Sequence, residues 1–353
     1  MSTARINVIG AGLAGLTAAR RLVALGTDVT VLEARDRIGG RALVLPAGQG
    51  AVDLGPAWIW PAVQPQVMAL ISDLGLETLP QSEEGAFVYE AAEGIQRGRF
   101  PARYGDAARV RGGICALAQA IAAELPPGTV RLGQAVHTAD ITDTVTVTTQ
   151  TGDTLTSQAI ICAAPPPVAA TWNVTPPWPL ALTQAMTRWP TWMAAHAKVV
   201  AVYDSAFWRD AGFSGSAVSQ LGPLVEMVDQ SDPERGQYAL FGFVGWPADQ
   251  RKDTSALREA ALAQLIRLFG PQAANVKALR IMDWAQEPFT ATLADQVPPA
   301  RHPPYGAPEL SQTVHARVLF AGAEVAQSHG GLIEGAIQSG MIAADKAVQL
   351  AST

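Results

Sequence analysis

The sequence predicts an α/β protein of two interleaved domains, and three stretches carry that prediction. The first is a strand, a glycine-rich turn, a helix and a second strand within residues 5–33. The second is a run of alternating strands at 128–167, and the third is an apolar strand followed by a long amphipathic stretch at 318–350. Strand–helix–strand order is typical of parallel α/β sheets, and polar–apolar alternation is typical of strands with one solvated face.

Composition excludes several classes of protein. The 353 residues are 48% apolar and only 16% charged, which indicates a compact globular chain long enough for two domains. The formal net charge of −6 argues against a general affinity for nucleic acid or anionic membranes. Cys115 and Cys162 both lie in apolar runs, so we expect buried free thiols and no disulfide or metal site.

No apolar stretch is long enough to predict a membrane span, because the longest ones are broken by proline, glycine or charge. The polar start passes at once into a strand, which leaves no room for a signal peptide. We therefore expect a soluble, cytoplasmic protein with no membrane partner.

The first predicted helix follows a dinucleotide-binding pattern. Gly10, Gly12 and Gly15 give G-x-G-x-x-G between the strand "RINVIG" and a helix that stops at Gly26. Such glycines permit a tight turn, close approach of a pyrophosphate, and close packing of helix on strand, while the helix N-terminus attracts phosphate. Glu33, at the end of the second strand, can accept hydrogen bonds from a ribose diol. These features together favour a dinucleotide site but do not separate NAD from FAD.

The run "EARDRIGGRA" at 33–42 separates the two cofactors. It resembles the E-A-R-x-R-x-G-G-R run of the flavin-containing amine oxidase superfamily, the monoamine oxidase-like proteins, and so implies FAD. In that resemblance Gly39 and Gly40 bring backbone beside the cofactor, and Arg41 is a charge-assisted donor to its diphosphate. Arg35 has two open readings, a cofactor contact and a solvated surface charge.

Two later segments resemble the same family. "VLFAGAEVA" is similar to its F-A-G-x-E signature, which places Glu324 near the ribityl and phosphate part of FAD; an ordinary helix cap is the rival reading. Val136 matches a residue whose backbone contacts the adenine end. "GGLIEGAIQSG" resembles the helix entrance beside the flavin ring, which assigns Gly331 and Leu332 to the ring.

The resemblance covers nearly the whole chain and implies a Rossmann-like (GR2-type) FAD-binding domain interleaved with a smaller α+β substrate domain. The expected FAD-binding domain comprises 1–55, 105–175 and 295–353, and the expected substrate domain comprises 56–104 and 176–294.

The matches together give the residues expected to contact FAD. They are Gly10, Gly12, Gly15, Glu33, Ala34, Arg35, Gly39, Gly40, Arg41, Gly55, Pro56, Ala57, Val136, Gly322, Glu324, Gly331 and Leu332. Pro56 replaces the second glycine of the family's D-x-G-G approach to the flavin and stiffens that loop. The cysteine that tethers FAD in some relatives is missing, so FAD is expected to bind non-covalently.

Lys198 is the one expected catalytic residue. It matches a family lysine that holds a water beside flavin N5 and promotes reoxidation by O₂; the rival reading is an exposed charge at a strand edge.

Substrate recognition departs from the family pattern. Many relatives flank the amine with two aromatic residues, but the matching positions, near Leu293 or Ala294 and at Leu332, are not aromatic here. The expected substrate-side residues are Trp58, Trp60, Trp284, His329 and Leu332. For His329 a capping or solvent-exposed position is an equal alternative.

The segment between Tyr89 and Arg111 is short. Relatives commonly carry a helical insertion there that roofs the substrate cavity. We therefore expect an open flavin face or one closed by another subunit, which makes a homo-oligomer one expectation.

These matches predict an FAD-dependent oxidoreductase that oxidises a small-molecule amine by hydride transfer to flavin N5, with O₂ as acceptor and H₂O₂ as product. One alternative is a flavin dehydrogenase, desaturase or NAD(P)H-oxidising enzyme with a non-amine substrate. The missing aromatic pair and roof favour it. The other alternative is a non-catalytic FAD-binding partner protein.

Overall fold

The computed structural model describes residues 5–99 and 101–351. Its strands are β1 Arg5–Ile9, β2 Asp28–Leu32, β3 Val44–Ala47, β4 Gly50–Asp53, β5 Thr78–Pro80, β6 Ala86–Ala91, β7 Gly94–Gly98, β8 Ala108–Val110, β9 Val130–Arg131, β10 Val136–Ile141, β11 Val145–Thr149, β12 Thr154–Ser157, β13 Ala159–Cys162, β14 Asn173–Thr175, β15 Ala197–Tyr203, β16 Phe213–Ser219, β17 Leu224–Asp229, β18 Tyr238–Val244, β19 Ala278–Asp283 and β20 Val318–Phe320. Its α-helices are α1 Leu13–Ala24, α2 Pro65–Asp73, α3 Cys115–Glu124, α4 Pro166–Ala169, α5 Leu180–Thr187, α6 Phe207–Asp210, α7 Thr254–Phe269 and α8 Ile333–Ala351.

A parallel sheet joins the two ends of the described chain. Its order is β20-β13-β1-β2-β9, so the first strand lies between β13 and β2, and the last strand forms an edge. One face packs on α1, α3 and α8 through an apolar cluster that includes Ile6 and Val8. The other face, with Ile9, packs on the four-stranded sheet β12-β11-β10-β14. Both faces are therefore buried, as is usual for parallel strands rich in β-branched residues.

Helices α1 and α8 lie in direct backbone contact. A Cβ added to Gly340 in α8 would lie 2.3 Å from the Ala14 carbonyl oxygen in α1, so only glycine permits this approach. The closing helix thus lies directly on the helix that follows the glycine-rich turn.

A second, seven-stranded sheet has the order β19-β15-β18-β17-β16-β6-β7. Helix α7 covers one of its faces, which includes Val199 and Ala201 of β15. The other face includes Val200 and Val202 and packs on the hairpin β3–β4. Because side chains alternate along a strand, Lys198 belongs to the face of Val200 and Val202.

The sequence-based fold class is confirmed, with small shifts in boundaries. The helix predicted to stop at Gly26 runs from Leu13 to Ala24. Cys115 and Cys162 are buried free thiols. In the part of the chain that the structure describes, no helix combines the length and apolar character needed to cross a membrane. The predicted division into two interleaved domains stays a prediction.

Helix α2 is capped from a distant helix. Gln64 at its N-cap makes no side-chain cap bond. Instead, the buried carboxylate of Glu334 in α8 accepts hydrogen bonds from the N–H groups of Gln66 and Val67, at 3.0 and 2.9 Å. This contact satisfies N–H groups at the helix start and fixes the first turn of α2 against α8.

We predict that Glu334→Ala lowers the free energy of unfolding by about 2 kcal/mol, because buried N–H groups lose their acceptor. Urea denaturation followed by circular dichroism measures the change. Glu259→Ala, on the exposed face of α7, is the matched control and should match the wild type. Equal denaturation midpoints for Glu334→Ala and the wild type would show that the cap contributes nothing.

Candidate functional site

A cavity of about 400 Å³ runs along the carboxyl edge of the parallel sheet and continues to the seven-stranded sheet. At the parallel sheet it is lined by the residues that follow four strands: Gly10 and Gly12 after β1, Glu33–Arg35 after β2, Ala163–Pro165 after β13, and Gly322–Ala323 after β20. At the other end it reaches Lys198 and Phe243. In open α/β sheets this edge is the usual ligand-binding position.

The glycine-rich turn is shaped for close backbone contact. Gly10 has φ +109°, which disfavours any residue with a side chain, and a Cβ on Gly15 would lie 1.9 Å from the Gly10 carbonyl oxygen. Gly12 pairs with Gly39, and a Cβ on Gly40 would lie 3.1 Å from the Gly12 Cα. The backbones of both glycine segments therefore meet at the cavity wall with no side chain between them.

Glu33 is held in place by backbone N–H groups. Its Oε2 accepts from Ala11 N at 2.7 Å, and its Oε1 accepts from Arg35 N at 3.0 Å. The Arg35 side chain is only 10% exposed, donates to Thr290 Oγ1 at 2.8 Å, and lies 5.6 Å from the centre of the Phe289 ring. The reading of Arg35 as a solvated surface charge is therefore wrong.

These residues fit a dinucleotide cofactor. Helix α1 starts at the cavity. Glu33 accepts from Ala11 N just before the helix, and the first turn itself has no side-chain cap and no acidic residue. The Nε atom of Arg35 makes no hydrogen bond within the described chain, although it lies 3.3 Å from Glu287 Oε2 as an ion pair. A phosphate-bearing ligand with a ribose would meet donors at the helix start and an acceptor at Glu33.

Arg41 and Glu324 form a two-bond ion pair across the cavity wall. Arg41 Nη1 donates to Glu324 Oε1 at 2.6 Å, and Nη2 donates to Oε2 at 2.9 Å. Glu324 Oε1 also accepts from Trp192 N at 3.0 Å, and the Trp192 carbonyl accepts from Arg41 at 3.1 Å. Burial opposes ionisation of Glu324, but Arg41 and the Trp192 N–H hold the pKa of this carboxyl below its ordinary value.

Lys198 is buried at the far end of the cavity. Its ammonium donates to the Gly55 carbonyl and lies 5.4 and 5.1 Å from the centres of the Phe241 and Phe243 rings. Burial lowers the pKa of Lys198 to about 8, against the opposing charge of Asp53. Because Lys198 is 4% exposed on an inner strand, the reading of an exposed edge charge is wrong.

Buried Asp53 ends β4 two residues before Gly55 and begins the D-x-G-G match, but it was not among the expected site residues. Its Oδ1 accepts from Ile114 N at 2.8 Å, at the start of α3. Burial raises its pKa to about 7, although Lys198 favours the charged form. The signal available in the sequence was its position two residues before Gly55.

The loop at Gly55 is fixed by two side chains. Trp284 Nε1 donates to the Leu54 carbonyl at 3.0 Å, and Lys198 binds the next carbonyl. A Cβ on Gly55 would lie 1.9 Å from the Arg41 carbonyl oxygen, so this loop packs directly on the GGR segment. Pro56 then lines the cavity with its backbone already restricted.

Aromatic and apolar side chains line much of the cavity. Those expected from the sequence are Trp58, Trp60, Trp284 and Leu332. Among the cavity-lining residues that were missed are Trp172, Trp192, Met193 and Phe243. Phe243 lies opposite Lys198 because β15 pairs with β18. All four are brought to the cavity by long-range folding.

Three expected site residues do not line the cavity. Gly15 lies behind the turn, where it lets α1 approach β1. Glu324 is engaged by Arg41 and Trp192 and contacts the cavity through them. His329 is exposed, with φ +53°, which agrees with its alternative solvent-exposed reading. Leu293, one of the matches to the family's aromatic pair, is 93% exposed, so its side chain forms no wall.

The remaining expected residues do line the cavity. They are Gly10, Gly12, Glu33, Ala34, Arg35, Gly39, Gly40, Arg41, Gly55, Pro56, Ala57, Trp58, Trp60, Val136, Lys198, Trp284, Gly322, Gly331 and Leu332. Their proposed contacts with cofactor and substrate stay predictions.

Comparison with known proteins gives concordant matches. The sequence profile of the family described as flavin containing amine oxidoreductase matches residues 13–104 and 92–348. AofH of Mycobacterium tuberculosis, named as a flavin-containing monoamine oxidase, is 28% identical, over 99% of this chain and 97% of AofH. An L-amino acid dehydrogenase of Synechocystis is 26% identical, over 97% and 94%. A putrescine oxidase structure bound to putrescine shares the fold, with a TM-score of 0.80 and 21% identity over 98% of this chain and 99% of that chain.

The matches also locate a difference in length. The alignment with AofH runs over 450 positions, more than the 353 residues of this chain, so AofH has stretches that this chain lacks. The two segments of the family profile meet at residues 92–104, within the stretch that lacks the expected roof insertion.

We predict that Glu324→Gln lowers the free energy of unfolding of the holoprotein by about 2 kcal/mol at neutral pH, because Arg41, whose side chain is 27% exposed, loses its counter-charge. The pKa of Glu324 is lowered in the folded state, so its contribution is present above its ordinary pKa and is lost as pH falls through the folded value. Urea denaturation at constant FAD, repeated from neutral to acid pH, should show the difference from the wild type shrinking in acid.

The matched control is Glu124→Gln, which breaks the more exposed pair with Arg20. It should change stability by less than about 1 kcal/mol. A deficit for Glu324→Gln that stays constant down to acid pH would contradict the assignment of a buried ionised carboxylate.

Proposed function

The chain belongs to the flavin containing amine oxidoreductase family, and on that premise we propose that it is an FAD-dependent oxidase of monoamines whose amine is carried on an apolar or aromatic group. The family makes it a flavin enzyme. The proposal of a monoamine with an apolar or aromatic group rests on one observation. Lys198 is buried at the end of a cavity lined by aromatic side chains.

Bound FAD supplies the chemistry of the reaction, since it accepts a hydride equivalent from the carbon next to the amine nitrogen. The protein's own residues supply position and environment. Trp58, Trp60, Phe243 and Leu332 present apolar surface at the Lys198 end of the cavity. An apolar surround excludes water and disfavours an ammonium ion, so it favours the neutral amine, which is the better hydride donor.

The charges of the cavity support a monoamine. Among the lining residues that the structure describes, Glu33 is the sole acid, and both its oxygens accept backbone N–H groups. Lys198, Arg35 and Arg41 also line the cavity and are cationic. A diamine or polyamine would place its second ammonium in this cavity without a counter-ion, which is costly. Selectivity against diamines follows from this distribution.

Non-covalent binding of FAD is supported by the positions of the two thiols. Neither Cys115 nor Cys162 lines the cavity, and both are buried elsewhere in the fold. Burial raises the pKa of Cys162 to about 12, so this thiol is a poor nucleophile. FAD is therefore held by contacts alone and should be released on denaturation.

One alternative has a specific observation in its favour. One relative of this chain is named as an L-amino acid dehydrogenase. A dehydrogenase would share the cavity and the amine but would transfer electrons to another acceptor. The two readings differ in whether H₂O₂ forms.

The test is anaerobic mixing of the holoprotein with benzylamine, putrescine, an L-amino acid and NADH, followed by absorbance of the flavin. We expect bleaching by benzylamine, and at least tenfold weaker reaction with putrescine. Admission of air should restore the flavin absorbance and produce one H₂O₂ per amine oxidised. Bleaching without H₂O₂ formation would select the dehydrogenase, and bleaching by NADH alone would refute the amine proposal.

We predict that the rate of H₂O₂ formation falls as pH rises through about 8, because deprotonation removes the buried positive charge of Lys198. Lys198→Met should be about tenfold to hundredfold slower at neutral pH and should lose this inflection. Stopped-flow oxygen mixing across the pH range measures both effects.

Lys346→Met is the matched control, since Lys346 donates to the Ser311 carbonyl at an exposed position. It should retain the wild-type profile. An inflection near pH 8 that survives in Lys198→Met would contradict the assignment.

A further inference from the structure

The segment that contains the cavity-lining residues Trp58 and Trp60 is hydrogen-bonded to the short stretch that leads into β8. Ile59, between the two tryptophans, donates to the Ala108 carbonyl at 2.9 Å and accepts from Ala108 N at 2.8 Å. Ala107 N donates to the Tyr104 carbonyl at 2.9 Å and so closes a tight turn just before β8. This turn falls where the sequence lacks the expected insertion.

Tyr104, in this turn, packs on a cavity wall residue. Its ring stacks on the indole of Trp58, with ring centres 4.8 Å apart and an angle of 26° between the planes. The edge of Phe241 also contacts Trp58, at 5.6 Å between ring centres. Trp58 Nε1 donates to Gln81 Oε1 at 2.8 Å. Phe243 lies on the same indole at 6.2 Å between ring centres, so Tyr104 is one of four contacts that hold the Trp58 indole in one orientation.

Two carboxylates hold Tyr104 itself. The Tyr104 hydroxyl donates to Glu226 Oε1 at 2.9 Å, and Arg103 Nη2 donates to the same oxygen at 3.0 Å. The N–H groups of Arg103 and Tyr104 donate to Glu83, at 2.8 and 3.2 Å. A turn with four bonds to two carboxylates is fixed from both its backbone and its side chains.

We propose that Tyr104 is a specificity-determining positioning residue, which acts through Trp58 and takes the place of the inserted roof of longer relatives. Tyr104 does not line the cavity, so its effect is on the width available beside Trp58. With Tyr104 stacked, the indole stays against the wall and the cavity suits a small apolar amine. The predicted effect of Tyr104 on selectivity between amines rests on the proposed function.

The structural part is tested without turnover. In the holoprotein, Tyr104→Ala should remove a near-ultraviolet circular dichroism band that arises from the stacked Tyr104–Trp58 pair, while Tyr104→Phe should retain most of it. The control is Tyr89→Ala, because Tyr89 makes an exposed contact to Gln220. A difference spectrum for Tyr104→Ala no larger than that of Tyr89→Ala would overturn the stacking.

The selectivity part uses benzylamine and the bulkier 1-naphthylmethylamine. Tyr104→Ala should raise the KM for benzylamine about threefold to tenfold, as expected for the loss of an aromatic contact, with kcat within about twofold. The ratio of kcat/KM for the bulkier amine over benzylamine should rise. An unchanged ratio, with the dichroism band lost, would overturn the proposal while leaving the amine oxidase function intact.

Two milder variants cover the case in which Tyr104→Ala does not fold. Tyr104→Phe and Glu226→Ala each remove the hydrogen bond from the Tyr104 hydroxyl to Glu226 and should raise the KM for benzylamine about twofold. No change in KM for either variant would overturn the proposal. If no amine reduces the wild-type flavin, the proposed function fails. Benzylamine and 1-naphthylmethylamine are then compared by their dissociation constants, which are measured from the change in flavin absorbance on binding.

Discussion

The bidentate ion pair between Arg41 and Glu324 is the contact on which the site depends. It joins residues 283 positions apart, and Trp192 completes it from a third part of the chain. Such a pair is expensive to break, because Glu324 is buried and Arg41 is partly buried, and either partner alone would be a poorly solvated charge without a counter-ion. The pair therefore holds three parts of the chain in one arrangement: residues 39–41, the residues that follow β20, and the segment at Trp192. The cavity lies along them.

A second set of contacts links the Arg41 segment to Lys198, the expected catalytic residue. The Gly55 loop packs on the backbone of Arg41, and its carbonyls are bound by Trp284 and Lys198. Lys198 consequently has a fixed position relative to the cofactor end of the cavity. Its burial among aromatic rings explains both its lowered pKa and the apolar surface beside it. The same packing thus fixes the position of Lys198 and lowers its pKa.

What could be predicted from the sequence was local. Gly10, Gly12 and Glu33 follow a pattern whose spacing reflects a single strand–turn–helix–strand unit, so a short segment was sufficient to predict it. The family resemblance added Arg41, Glu324 and Lys198 as important residues. It could not show that Arg41 and Glu324 bind each other, because that pairing is a property of the folded chain.

The residues missed from the sequence share that long-range character. Trp192 and Phe243 reach the cavity from parts of the chain with no motif, and ordinary core aromatics look the same in a sequence. Tyr104 lies in a segment noted only for being short. His329 followed the signature closely in sequence, but a left-handed backbone turn directs it outside the cavity. The sequence motifs therefore predicted where the cavity lies better than they predicted which nearby side chains reach it.

The most direct test of the central claim is a double-mutant cycle on FAD affinity. Dissociation constants for FAD would be measured for the wild type, Arg41→Gln, Glu324→Gln and the double variant. If the pair holds the cavity together, the second substitution should cost much less than the first, with a coupling of at least about 1 kcal/mol. Strictly additive losses, with no coupling between the two residues, would contradict the account.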